Sequence, residues 1–280
     1  MSVLVFGKTG QVATELQHLG KVTALGRDQA DLSDPAACAE AIRAAAPGAV
    51  INAAAYTAVD KAEEEEALAT TINGAAPTAM AQACAALDIP FVQISTDYVF
   101  DGSGSDPWQP NDPVAPLGAY GRSKLASEDG IRASGARAVI LRTSWVFSAH
   151  GNNFVKTMLR LSETRDALKV VDDQIGGPTP ARDIASACLT ISKALIAGQG
   201  GGTYHYAGTP ATSWECFARE TFALAGRQVT VTGIPTTDYP TPAQRPLNSR
   251  LDCSSLTRDF GISPPDWKAA LAETIIELRS

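Results

Sequence analysis

Histidine is nearly missing from this chain, with three in 280 residues, and its five cysteines (Cys38, Cys84, Cys188, Cys216 and Cys253) stand far apart. No Cys-x-x-Cys or His-x-x-x-His pair occurs among them, which argues against a structural zinc centre or a disulfide framework, and no metal site is expected from these spacings. There is no apolar run of about 18 residues. The N-terminal MSVLVFGKTG passes from an apolar stretch into glycine turns rather than into a small-residue cleavage site, so an unanchored, cytoplasmic protein is expected, with no membrane partner. Basic residues are the minority, 23 against 30 acidic for a net charge of −7, which argues against a dedicated nucleic-acid surface. Any anionic ligand must therefore meet local cations.

What is present is ordinary globular composition, 45% hydrophobic and 19% charged, in a length that holds one large core or a core plus a smaller lobe. Apolar runs at residues 3–6, 22–25, 49–51, 91–95 and 138–142 alternate with helical stretches that begin at Gln11 and cover residues 35–46, 68–87 and 120–134. Such alternation predicts an α/β fold, a doubly wound parallel sheet of Rossmann type. Beyond residue 148 the pattern loosens: helices over 154–163 and 181–197, a glycine-rich link at 198–202, strands at 203–206 and 229–231, and a terminal helix over 267–279. The expected division is a dinucleotide-binding domain at 1–147 and a smaller, partly interleaved substrate-binding lobe at 148–280. Residues 236–250 carry Pro240, Pro242 and Pro246 and are expected to form an ordered loop. No repeat of solenoid period is found.

Gly7-Lys8-Thr9-Gly10-Gln11-Val12-Ala13 follows the first apolar run at once and opens a helix. Gly7 permits a tight turn, Gly10 lets backbone approach a pyrophosphate at the helix N-terminus, and Ala13 allows close helix packing. A plain strand-to-helix turn has the same look. At the end of the second run, where an acidic residue would read a ribose 2′-hydroxyl, stand Gly26-Arg27, and a guanidinium there suits a 2′-phosphate unless it is only a solvated arginine. Asp31 could hold an adenine edge, while Asp34 before Pro35 reads equally well as a helix cap.

Tyr120 and Lys124, four apart near the start of a helix, share one face. A fixed ammonium beside the phenol is expected to lower its pKa from about 10 and let it act as a general acid on a carbonyl. The pair recurs by chance, but Ser95-Thr96-Asp97 ends the fourth apolar run, and ligands of doubly wound sheets bind beyond strand carboxyl ends. Thr96 then offers a hydroxyl to the same oxygen.

With these motifs stand longer strings: FGKTGQV at 6–12, NAAAYTAVDKAE at 52–63, STDYVFDG at 95–102, YGRSKLASE at 120–128, LRTSWVF at 141–147, GNNFVKTMLRL at 151–161, DDQIGGPT at 172–179 and YPTPAQRPLNSRL at 239–251. Together they resemble the dTDP-4-dehydrorhamnose reductase family of the extended short-chain dehydrogenase/reductase superfamily, through nearly the whole chain. The resemblance implies Thr96, Tyr120 and Lys124 as the catalytic trio, Lys124 also holding the nicotinamide ribose, and a nucleotide sugar as the small-molecule substrate. It implies cofactor contacts from Gly10, Gln11, Val12, Asp31, Leu32, Ala55, Tyr56 and Thr57, with Gly7 at the turn and Arg27 on the phosphate. Sugar-nucleotide contacts fall on Thr96, Asp97 and Trp145, with Asn153, Arg245 and Asn248 as candidates for the diphosphate; a buried structural role for Trp145 is the alternative. NADPH is the expected cofactor, with NADH use open. Some members form magnesium-linked dimers, in which Glu15 could take part, so monomer and homodimer both stand.

Four rivals share the pattern. A dehydratase of the superfamily needs Thr-Asp-Glu, and here Tyr98 follows Thr96-Asp97. An epimerase retains its cofactor through the cycle, and other nucleotide-sugar ketoreductases use the same groups. A regulatory subunit like that of methionine adenosyltransferase has similar loop signatures and no turnover.

Overall fold

Short runs of consecutive apolar residues need cover on both faces, and a parallel sheet between two helical layers supplies it. In the computed structural model, which describes residues 2–279, the first half alternates as expected: β1 (Val3–Phe6), α1 (Gln11–Leu19), β2 (Val22–Leu25), α2 (Pro35–Ala45), β3 (Ala49–Asn52), α3 (Val59–Ala62), α4 (Glu66–Thr70), α5 (Ala76–Ala86), β4 (Phe91–Thr96), α6 (Ala119–Ala133) and β5 (Ala138–Thr143). The helix expected over residues 68–87 is interrupted, because a π-helical turn at Thr71–Ala75 joins α4 to α5. Asp34 caps α2, accepting the Ala37 N–H at 3.0 Å. In contrast α1 has Gly10 at its N-cap position and no side-chain cap, which leaves its first N–H groups available to an anion.

The second half runs β6 (Val146–Phe147), α7 (Phe154–Leu161), β7 (Ala167–Val171), β8 (Ile175–Gly176), β9 (Thr179–Pro180), α8 (Ala181–Ile196), β10 (Gly202–His205), β11 (Thr212–Ser213), α9 (Trp214–Ala225), β12 (Thr230–Ile234), β13 (Asn248–Ser249), α10 (Ser254–Phe260) and α11 (Trp267–Glu277). Eight of these escape the sequence reading: the five two-residue strands β6, β8, β9, β11 and β13, and the longer β7, α9 and α10. Residues 236–250 form an ordered loop, with a 3-10 turn at Thr236–Asp238 and β13 near its end. Among the described residues no helix is long and apolar enough to cross a membrane.

The main sheet has six strands in the order β10-β5-β4-β3-β1-β2, every pair parallel. Alternate residues of β1 point to opposite layers. Val3 and Val5 pack with Leu16 of α1 and with Ile184, Cys188 and Ile191 of α8, while Leu4 and Phe6 pack with Ile42 of α2 and Met80 and Cys84 of α5. The chain therefore returns to the first sheet over α8 and β10 after β6 to β9 have left it. The smaller lobe has its own core, in which Phe217 of α9 meets Phe147, Val155, Trp267 and Leu271.

The seating of α6 on this frame depends on a missing side chain. A Cβ at Gly121 would lie 2.2 Å from the Tyr98 carbonyl oxygen and 2.8 Å from Pro116 Cβ. Glycine to alanine inside a helix normally stabilises by about 0.5–1 kcal/mol. Gly121→Ala is expected to do the opposite, lowering stability by about 1–3 kcal/mol as α6 is pushed outward, and urea denaturation of the two proteins measures the sign.

Candidate active site

Strands β2 and β3 lie on opposite sides of β1, and at such a switch point a crevice opens beyond the strand carboxyl ends. A cavity of about 990 Å³ fills it. Gly7 has φ +107°, and a Cβ there would press within 3.3 Å of Ala53 C and Ala54 N, so only glycine passes. At Gly10 a Cβ would meet nothing nearer than Ala53 O at 4.0 Å, which leaves the space before the α1 N-terminus open to a ligand.

Thr96 ends β4, Tyr120 stands in the first turn of α6 and Lys124 one turn further, and all three line the cavity with Asp97. Lys124 is buried and its Nζ donates to the Ile94 carbonyl at 2.6 Å. Burial pushes the ammonium down to about 8, partly opposed by the carboxylate of Glu128. The expectation that this cation lowers the Tyr120 phenol is not met. Burial, with help from Asp97, pushes Tyr120 up to about 12, and a hydrogen bond with Thr96 only eases it, while the ammonium is aimed at a backbone carbonyl. Burial also raises Asp97 to about 6, against hydrogen bonds from Ser249 and Thr96. Two buried polar atoms of the wall, Asp97 Oδ2 and Thr143 Oγ1, have no hydrogen-bond partner and remain available to a ligand.

A buried carboxylate ties these elements together. Glu128 Oε1 accepts from Ser95 Oγ at 2.6 Å and Arg142 Nε at 2.9 Å, and Oε2 accepts from Arg142 Nη2 and Arg132 Nη2, each at 2.6 Å. Burial opposes its ionisation, yet Arg142, Ser95 and Arg132 hold it below the usual carboxylate range. His205 completes the set. Its Nδ1 lies 2.9 Å from the Trp108 carbonyl, which requires the proton there and leaves Nε2 to accept from Arg142 Nη1 at 3.4 Å. Burial and the neighbouring Arg142 push His205 down to about 3, so it stays neutral.

A second clamp lies at the π-helical turn. Asn73 accepts from the Tyr56 N–H at 2.7 Å and donates to the Tyr56 carbonyl at 2.9 Å and to Ser123 Oγ at 3.0 Å, which binds the loop carrying Ala55 and Thr57 to α6. Neither clamp was among the expected site residues. The i+4 step from Lys124 to Glu128 was the available signal for the first, while an internal asparagine in an alanine-rich helix marks the second only weakly.

Of the expected residues, Gly7, Gly10, Gln11, Val12, Arg27, Asp31, Leu32, Ala55, Thr57, Thr96, Asp97, Tyr120, Lys124 and Trp145 line this one cavity. Arg27 is 79% exposed at its side chain and bonds Asp31 at 3.0 Å, so the two expected adenosine contacts are engaged with each other. The Ser33 N–H and Arg27 hold the Asp31 carboxyl below its ordinary range. Trp145 takes φ +49° and stacks on Trp214 at 3.7 Å, a strained conformation that sets the indole against the cavity. Four expected residues stand outside the wall. Tyr56 donates its hydroxyl to Glu65 at 2.7 Å. Asn153 caps α7 and donates to Gln11 Oε1 and Ser148 O, and Asn248 donates to Ser103 O and Asp106 O, so both amides are spent on the fold. Arg245 bonds Asp60 at 2.7 Å but keeps a buried Nη1 unpartnered.

The family model described as the RmlD substrate binding domain matches residues 1–280. A dTDP-4-dehydrorhamnose reductase from Sinorhizobium fredii is 43% identical over 96% of this chain and 94% of its own length. The chain belongs to the dTDP-4-dehydrorhamnose reductase family. Two solved members superpose on it closely. The Clostridium acetobutylicum enzyme has a TM-score of 0.94 and 39% identity with all of both chains covered, and the Bacillus anthracis enzyme, in complex with NADP, has 0.91 and 34% with 99% of each covered.

Because free Lys124 loses its proton near pH 8, its charge is present below that pH and absent above it. The kcat/KM for the reduced dinucleotide is accordingly expected to fall as pH rises through about 8, in initial-rate profiles that report the free enzyme. Lys124→Met should give a low and flat profile, and a wild-type profile level to pH 10 would contradict the assignment.

Proposed function

We infer that this chain reduces the C4 ketone of dTDP-4-dehydro-β-L-rhamnose to the alcohol of dTDP-L-rhamnose, with NADPH as reductant. The observation that carries the reading is the convergence of Thr96, Tyr120 and Lys124 on one cavity with the uncapped α1 N-terminus, in a chain of this family. When bound, NADPH supplies a hydride to C4 of the sugar.

The protein's residues then account for the proton and for the geometry. A phenol pushed up to about 12 is fully protonated near neutrality, which is the form a reductase needs before the step. The alkoxide that develops on the sugar is a stronger base, so the Tyr120 proton moves to it, and hydride plus proton complete the alcohol. Thr96 Oγ1 donates to Asp97 Oδ1 at 3.1 Å and accepts from the Tyr98 N–H at 3.2 Å, an arrangement that aims the hydroxyl beside the phenol. The Lys124 ammonium, next along the same helix face, would hold the nicotinamide ribose and balance the phenolate left on Tyr120.

Specificity is assigned at the two ends. Arg27, exposed at the end of β2 where an acidic residue is lacking, suits the 2′-phosphate of NADPH, while the α1 N-terminus faces the pyrophosphate. At the other end Trp145 and Asp97 meet the sugar nucleotide, and the unspent Nη1 of Arg245 is the candidate for its diphosphate.

Tyr120→Phe is expected to lower turnover at least about 10²-fold while NADPH still binds, measured as NADPH oxidation with the keto sugar made in situ; an unchanged rate rules out Tyr120 as the acid. Arg27→Ala should raise the KM for NADPH more than that for NADH. Equal changes would mean that Arg27 does not read the phosphate.

A further inference from the structure

A group of metal-competent side chains stands behind the cofactor cavity, and its donors differ from those a magnesium ion takes. Glu15 on α1 is buried. His18, one turn on, has Nδ1 3.9 Å from Glu15 Oε2, and His150, in the loop after β6, has Nε2 3.3 Å from Glu15 Oε1. The two imidazole rings meet edge to face with centroids 5.4 Å apart, and the three ligand atoms lie within 4.8 Å of one another. His150 Nε2 is shielded from solvent and makes no hydrogen bond. Magnesium demands an octahedron of oxygens and sheds water reluctantly, so one carboxylate and two imidazoles fit it poorly. The same donor set suits a borderline ion with tetrahedral preference.

We propose that Glu15, His18 and His150 form an intrachain site for a divalent transition ion of the zinc class, its fourth position taken by water or by Glu277, whose Oε1 lies 3.6 Å from His150 Nε2. The site goes beyond the reductase reading and serves it by position. Ser148 Oγ and Asn153 Nδ2 both donate to Gln11 Oε1 at 2.9 Å, and Gly151 and Asn152 of the same loop wall the cavity. An ion bridging His150 to Glu15 and His18 fastens that loop to α1, on the far side of the helix turn that Gln11 begins.

The test uses the full chain with Cys216→Ser, which removes the exposed thiol, and cobalt(II) as the probe, read by its visible absorption, with zinc and magnesium as competitors. One cobalt per chain is expected, displaced by one zinc and unmoved by millimolar magnesium. His18→Ala and His150→Ala should each weaken cobalt binding by at least about tenfold, since even outer-shell changes cost that much. His18 is exposed and His150 half-buried, and circular dichroism verifies that the variants fold. Absence of a cobalt spectrum, a spectrum that survives both histidine substitutions, or displacement by magnesium overturns the proposal. None of these readouts involves turnover, so failure here leaves the reductase assignment standing, and failure of that assignment leaves this one.

Discussion

A carboxylate shut away from solvent, Glu128, joins β4, α6 and β5, the three elements that meet at the cavity. It sits on α6 one turn after Lys124 and two after Tyr120, grips Ser95 beside Thr96 at the end of β4, and pairs with Arg142 on β5, three residues before Trp145. Ser95 and Arg142 are partners across the sheet, so the carboxylate closes a bridge over a register already set by backbone bonds. Removing one partner of such a pair costs about 3–5 kcal/mol, because the other is left charged in a poor solvent. The positions of Thr96, Tyr120 and Lys124 relative to one another therefore depend on a group that touches no ligand.

Burial also sets the protonation states, and it moves Tyr120 and Lys124 in opposite directions. It disfavours charge on both, so the phenol keeps its proton while the ammonium gives its proton up more readily. Tyr120 thus keeps the proton that its proposed role requires without help from Lys124, contrary to the usual picture of an ammonium that activates a neighbouring phenol. In the proposed reaction the lysine's part falls after proton transfer, when a phenolate must be tolerated in the same poor solvent. Glu128 supports that part by favouring the charged form of Lys124.

The doubly wound sheet, the glycine turn and the placing of Thr96, Tyr120 and Lys124 on one cavity wall were legible because each rests on local chemistry: apolar runs for strands, missing side chains for a tight turn, a four-residue step for a shared helix face. What was not legible depends on distant residues. The return of α8 and β10 to the first sheet is decided by the packing of Ile184, Cys188 and Ile191 against Val5 and Leu16, which no local pattern announces. The spent amides of Asn153 and Asn248 belong to the same class, since an asparagine in a family string looks alike whether it meets a ligand or a backbone carbonyl. Spacing rules likewise pass over Glu15, His18 and His150, two from one helix and the third more than a hundred residues on.

The two ends of the cavity are joined through groups committed to each other. Gln11, first residue of α1, is held by Ser148 and Asn153 of the loop after β6, and Trp145 combines a left-handed conformation with a stack on Trp214 of α9. A Cβ at Gly176 would lie 2.8 Å from that indole, so β8 approaches Trp145 only because it lacks a side chain there. Strain of this kind, of order 1–3 kcal/mol, persists only where the surroundings over-determine it. Here they do: the cavity-facing indole is fixed by its stack on Trp214 while its backbone is continuous with β5. The distance between the glycine-turn end of the cavity and its Trp145 end is thereby set by packing within the protein itself.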